Sequence, residues 1–193
     1  MANVFDKILK MSSVEIKQNS EASIDWFRQK ATGQRVTGNQ LLTAGDYRDN
    51  ITNFVAPGGM YFFQYDAKHK ETLPYWDKYP LIFPFEMKPD GFLGLNLHYL
   101  PPTMRASLMS NLSNRKARTK AEDISISYKI LSSYANLRYF KPCVKRYLYS
   151  HVKSQFLYIH PDEWPIAIFL PLQRFQKASD GKVYADSRKI VRS

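Results

Sequence analysis

The chain has 193 residues, of which 44% are hydrophobic, and a formal net charge of +11. That length supports one sizeable core, and a single cysteine, Cys143, excludes an internal disulfide framework and favours a reducing compartment. No apolar run approaches the roughly 18 residues of a membrane helix, and Met1–Ser20 carries Asp6, Lys7, Lys10 and Glu15 where a signal peptide has its apolar core. A soluble, unsecreted protein with no membrane partner is expected.

The charge is unevenly spread. Residues 1–102 hold 11 Lys plus Arg against 11 Asp plus Glu, whereas residues 103–193 hold 17 against 6. The whole excess therefore lies in the second half, which suggests a polyanion-binding face there. A basic face that keeps the protein soluble, or that docks an acidic partner protein, is the alternative.

In chain order, Met1–Met11 places Val4, Phe5, Ile8 and Leu9 on one side at helical spacing, with Asp6, Lys7 and Lys10 on the other. So short a helix must pack on something, either its own core or a partner subunit. Ser20 or Ser23 can cap a helix that runs to about Ala31 and stops at Gly33. Gly33 to Pro57 reads as a loop, clamp or arm. Between Pro57 and Pro102, the runs Met60–Tyr65, Leu73–Trp76, Leu81–Phe85 and Phe92–Leu100 are rich in aromatic and β-branched residues between turn signals, the pattern of strands. Lys88-Pro89-Asp90-Gly91 predicts a hairpin, with Pro presetting φ and Gly supplying a positive φ. Pro74, Pro80 and Pro84 each remove a ladder donor, so the strands must be short, bent or at an edge.

Thr103 can cap a helix through about Asn114. Arg115, Lys116, Arg118 and Lys120 then crowd into seven residues without an acid, which favours a solvated loop and makes this segment the best candidate for phosphate contact. Helices are expected over Ile124–Phe140 and Cys143–Tyr158, the second carrying Lys145, Arg146 and Lys153, and Asp162 is expected to cap a short apolar helix ended by Pro171. Leu172 to Ser193 reads as a basic arm that orders on binding. The expected fold class is α+β: a small, strongly twisted antiparallel sheet or partial barrel over about 58–100, followed by a basic helical C-terminal half. The expected organisation is one domain: an N-terminal helical or arm segment (1–57), a β core (58–102), a helical region (103–175) and a basic tail (176–193).

Signals for catalysis are sparse. His69, His98, His151 and His160 never pair at metal-ligand spacing, no Walker loop or dinucleotide-binding glycine pattern is present, and no cofactor or metal is implied. Cys143, in an apolar setting, reads as a buried structural thiol. One constellation carries an enzymatic alternative: Asp66 and Glu86 at strand ends could hold a divalent cation while Lys88 steadies an attacking water, as in a metal-dependent nuclease. The same residues can equally make ordinary surface ion pairs. Basic residues interleaved with aromatics give a further reading. Arg138-Tyr139, Lys145-Arg146-Tyr147 and Lys153 with Tyr158 could offer cations to phosphates and rings to unpaired bases, although each ring can equally belong to the core.

The runs GGMYFFQYDAKHKETLPYWDKYPLIFPFE, DGFLGLNLHYLPP and KPCVKRYLYSHVKSQFLYIHPDEWPIAIFLPLQRF, covering roughly Gly58 to Phe175, resemble small virion proteins of T4-like tailed phages, the DNA end protector or head-completion family. The resemblance implies a noncatalytic protein that binds the end of packaged double-stranded DNA, closes the head and shields the end from host exonuclease. It implies other virion proteins of the head, portal or neck as partners, in the virion and, during assembly, in the host cytoplasm. No site residues come with it. The DNA-binding candidates Arg115, Lys116, Arg118, Lys120, Arg138, Lys145, Arg146 and Lys153 rest on charge alone. A structural neck, tail or baseplate subunit without DNA binding is the alternative, and the nuclease of Asp66, Glu86 and Lys88 a further one.

Overall fold

The computed structural model describes residues 5, 7, 8, 21–43, 45–106 and 138–192. An amphipathic helix α1 (Glu21–Thr32) leads to a short helix α2 (Gly38–Thr43) and a 3-10 segment (Gly45–Asn50). Strands β1 (Ile51–Thr52), β2 (Met60–Phe62), β3 (Trp76–Asp77), β4 (Leu81–Lys88) and β5 (Gly91–Asn96) follow. The second half gives β6 (Val144–Leu148), β7 (Phe156–Ile159), a single helical turn α3 (Trp164–Ala167), β8 (Phe175–Gln176) and helix α4 (Asp180–Arg192).

Six strands form one antiparallel sheet in the order β1-β7-β2-β4-β5-β6, while β3 and β8 form a separate pair. The sheet is open, with β1 and β6 at its edges, so it is not a closed barrel. Alternation along the strands builds two apolar faces. Met60, Phe62, Leu81, Phe83, Leu95, Leu157 and Ile159 join the main core, which also contains Phe27 of α1, Trp164 and Ile166 of α3, and Val183 of α4. Tyr61, Phe63, Ile82, Phe92, Tyr147 and Phe156 form a second, aromatic core with Val55, Tyr65 and Ala67. Its rings meet edge to face, as between Phe63 and Phe156 at 5.0 Å and Tyr65 and Tyr147 at 5.0 Å.

Local signals set the hairpin. Lys88 pairs with Gly91 across Pro89-Asp90, and the register slips between Pro84 and Glu86, where proline has no amide hydrogen to give. Gly91, however, is not in the left-handed region, which among the described glycines only Gly58 occupies (φ 86°). Glycine is needed at 91 because β6 passes directly over it: a Cβ would lie on the Tyr147 carbonyl oxygen, 2.9 Å from its carbon and 3.0 Å from Leu148 Cα.

Four further expectations change. Cys143–Tyr158 is two strands, not a helix, because Val144 and Tyr147 find ladder partners in β5, Phe156 in β1, and Leu157 and Tyr158 in β2, and these outweigh a helical apolar stripe. The C-terminal half is thus only partly helical. The tail is no free arm: α4 buries Val183 and Ser187, and the Ser187 hydroxyl donates to the Tyr99 carbonyl at 3.0 Å. Gly33 to Pro57 contains α2 and the 3-10 segment instead of a loop. His160, not Asp162, caps the turn before α3, accepting from the Asp162 amide while Glu163 accepts from the His160 amide at 3.1 Å. The expected strands shift in their bounds: β2 ends at Phe62, Leu73–Tyr75 precede β3, and β5 gives way to a 3-10 turn over Leu97–Tyr99. Two N-terminal expectations hold. Helix α1 ends one residue past Ala31, and Phe5 and Ile8 are fully buried in the main core with Lys7 exposed. The helix expected over Ile124–Phe140 and most of that expected from Thr103 lie outside the described residues, although 102–106 are helical. No described helix is long and apolar enough to cross a membrane.

Candidate nucleic-acid interface

Arg115, Lys116, Arg118 and Lys120 lie outside the described residues. Arg138 opens the 3-10 segment Arg138–Cys143 that leads into β6, an edge of the sheet. Lys145 and Arg146 sit on β6 in different surroundings. The Lys145 ammonium lies 4.2 Å from the centre of the Tyr99 ring, and desolvation there lowers its pKa. Arg146 reaches across the β4–β5 turn to Asp90. Lys153 follows the 3-10 turn Tyr149–His151; its amide donates to the Gln64 carbonyl at 2.8 Å and its side chain is exposed. The structure therefore carries Arg146 on the edge strand β6 and Lys153 after the turn that follows it. Tyr147 and Phe156 belong to the aromatic core and are not presented to a ligand, and Tyr158 is half-buried beside Tyr61.

The acidic constellation forms local pairs. Asp66 accepts from Lys70 with both oxygens, at 3.0 and 3.2 Å, and that pairing holds its carboxyl below the usual range. Glu86 is paired with Lys88, two residues along the same strand face. Among the described residues no three His, Cys, Asp or Glu side chains converge as a cation would need.

Three features escape sequence reasoning. The first is a buried polar network joining β3, β5 and α4. Asp77 accepts from His98 Nδ1 at 2.6 Å, Asn96 Nδ2 at 3.2 Å, and the amides of Tyr79 and Arg174 at 3.1 and 3.2 Å. Asn96 also donates to the Tyr147 hydroxyl at 3.0 Å. Arg105, almost fully buried, donates to the carbonyls of Leu100, Ile168 and His98 and to the Tyr184 hydroxyl. Desolvation lowers the His98 pKa; in Asp77 it acts the other way and is outweighed by His98 and the backbone amides, so that carboxyl too is lowered. A neutral His98 leaves Asp77 and Arg105 as balanced charges. Its only sequence signal is polar residues, Asn96 and His98, inside an apolar run.

The second is that the basic tail residues lie on a helix, α4, packed on the core. Lys177 is committed, donating to the carbonyls of Glu71 at 3.1 Å and Leu73 at 3.4 Å, and Lys182 pairs with Asp186 at 2.6 Å. Arg188, Lys189 and Arg192, in the last turns of α4, are exposed, where cations also suit the helix dipole. The third is Phe54, whose side chain stands out from the loop after β1 at 80% exposure.

Residues 3–193 match the model of one protein family, described as phage T4 terminal DNA protecting protein. No curated protein and no solved structure matches the chain. The family match spans nearly every residue, including the two strands β6 and β7 that complete the sheet and the helix α4 that closes the core, and the chain therefore belongs to the phage T4 terminal DNA protecting protein family.

Proposed function

We propose that this protein binds the end of packaged double-stranded DNA, shields it from host exonuclease and helps close the head, docking on other virion proteins of the head, portal or neck. The observation that carries the reading is the family match over residues 3–193. The charge distribution agrees with it, since 17 Lys plus Arg against 6 Asp plus Glu in residues 103–193 give that half the sign a phosphate backbone requires. Phosphate contact falls to Arg115, Lys116, Arg118, Lys120 and Arg138 by charge density and to Lys153 by exposure. Arg146 would exchange the Asp90 carboxylate for a phosphate, and Lys145 would leave the Tyr99 ring. The protein acts by occupying the terminus, so no bond in the DNA need break. The test is an exonuclease challenge of a linear duplex with and without the protein. Protection that fades with salt is the expected result, and digestion at the rate of naked DNA would overturn the reading.

A further inference from the structure

We propose that Phe54 is the platform that stacks on the terminal base pair and so distinguishes a DNA end from the interior of a duplex. The inference rests on the end-binding reading above and supplies what charge cannot. Phosphates are alike along a duplex, so Lys and Arg contacts give affinity without end preference. Besides its terminal phosphate and hydroxyl groups, an end offers the open π face of its last base pair, every other such face being covered by a neighbour. An exposed flat ring can engage that face, and aromatic stacking is a sequence-tolerant way to do so.

Phe54 meets that need. Its 80% exposure stands apart from the other exposed large hydrophobics, Leu73, Met87, Tyr149 and Ile190, which lie between 36% and 40%. The backbone that presents it is fixed on both sides. The Phe54 amide donates to Thr52 Oγ1 at 3.2 Å, Gln155 donates to the Asn53 side chain at 2.9 Å, Val55 is buried in the aromatic core, and the Ala56 amide donates to the Tyr61 hydroxyl at 3.0 Å. The ring is thus held out by a braced loop, and the lost rotamer freedom on stacking is confined to two torsions.

Its surroundings suit a strand end. The Asn53–Gln155 bond and the pairing of Thr52 with Phe156 set Phe54 beside the segment that carries Lys153. Lys153 is exposed and makes no ion pair among the described residues, because the acid near it, Asp66, is held by Lys70. An open ring face, a cation and the amide side chains of Asn53 and Gln155 together match a base pair and its terminal phosphates.

The experiment uses the full chain with a blunt linear duplex carrying 2-aminopurine at its last pair, and a closed circle of the same sequence as competitor. Wild type should quench the terminal 2-aminopurine and prefer the linear form. Phe54→Ala should abolish the quenching and reduce that preference by about 5-fold to 150-fold, with affinity for the circle unchanged; Phe54→Trp should retain both. The ring contributes little to the core at its exposure, so the Ala variant tests binding and not folding. A linear preference that survives intact in Phe54→Ala overturns the Phe54 assignment alone. Equal wild-type binding to circle and linear DNA overturns the end-binding reading itself, and the assignment with it.

Discussion

Replacing Asp77 by Asn keeps the volume of the side chain and removes its charge, which isolates what the buried network contributes. One oxygen survives as an acceptor for the amides of Tyr79 and Arg174. The other becomes an amide nitrogen facing the donors of His98, at 2.6 Å, and Asn96, at 3.2 Å. Two hydrogen bonds to a charged acceptor are lost at about 1.5–3 kcal/mol each, a total of about 3–6 kcal/mol. Arg105 is also left without its compensating buried charge. For a chain of 193 residues, each kcal/mol corresponds to about 2–4 °C in Tm, so Tm should fall by at least about 6 °C. Urea and thermal unfolding followed by circular dichroism measure this. A loss below about 1 kcal/mol would refute the account of the network, because an isosteric substitution leaves no cavity to explain a compensating rearrangement.

Further outcomes follow from the same geometry. Stability should decline as pH falls below about 6.5, the ordinary histidine value: His98 has a lowered folded pKa, so the unfolded chain takes up its proton first. The lowered Asp77 pKa adds a second loss below about pH 4. Urea midpoints from pH 8 to pH 3 test this, and a midpoint independent of pH between 7 and 5 would contradict the neutral state of His98. Gly91→Ala should push β6 from β5, cost about 1–3 kcal/mol or more by overpacking against backbone that cannot yield, and expose the Tyr147 ring to fluorescence quenchers. Neutralising Arg188, Lys189 and Arg192 together should lower the salt slope of DNA binding at the cost of only a small fall in Tm, since all three are exposed and contribute to folding only through the helix dipole.

What the sequence made legible was local. The hairpin was written in Pro89-Asp90-Gly91, and the end of helix α1 in Gly33. Strands β6 and β7 were not legible, because Val144, Tyr147, Leu148, Val152 and Phe156 fit a helical stripe as well as a strand. The decision came from pairing with β2 and β5, far away in sequence. Helix α4 was hidden by its polarity: only Val183 and Ser187 are buried, and a basic C-terminal stretch reads as an arm until the core it closes is in view. The network of Asp77, Asn96, His98 and Arg105 was invisible for a related reason. Polar residues are usually exposed, and only tertiary structure shows that these are buried together and hydrogen-bonded, with His98 Nε2 left without a partner. The proposed interface rests on a charge asymmetry between the two halves that the sequence shows, whereas the exposure of Phe54 depends on how its loop is braced against Gln155 and Tyr61.

The central claim, protection of a DNA end by occupancy, is tested most directly with the purified protein on a linear blunt duplex and a closed circle of the same sequence, across a salt series and under exonuclease challenge. The account predicts preference for the linear form, protection of it, and a log-log salt slope near about −5 for about six neutralised phosphates. Shallow, equal binding to both forms with no protection would contradict it and favour a structural subunit, and magnesium-dependent cutting of the circle would return attention to Asp66, Glu86 and Lys88.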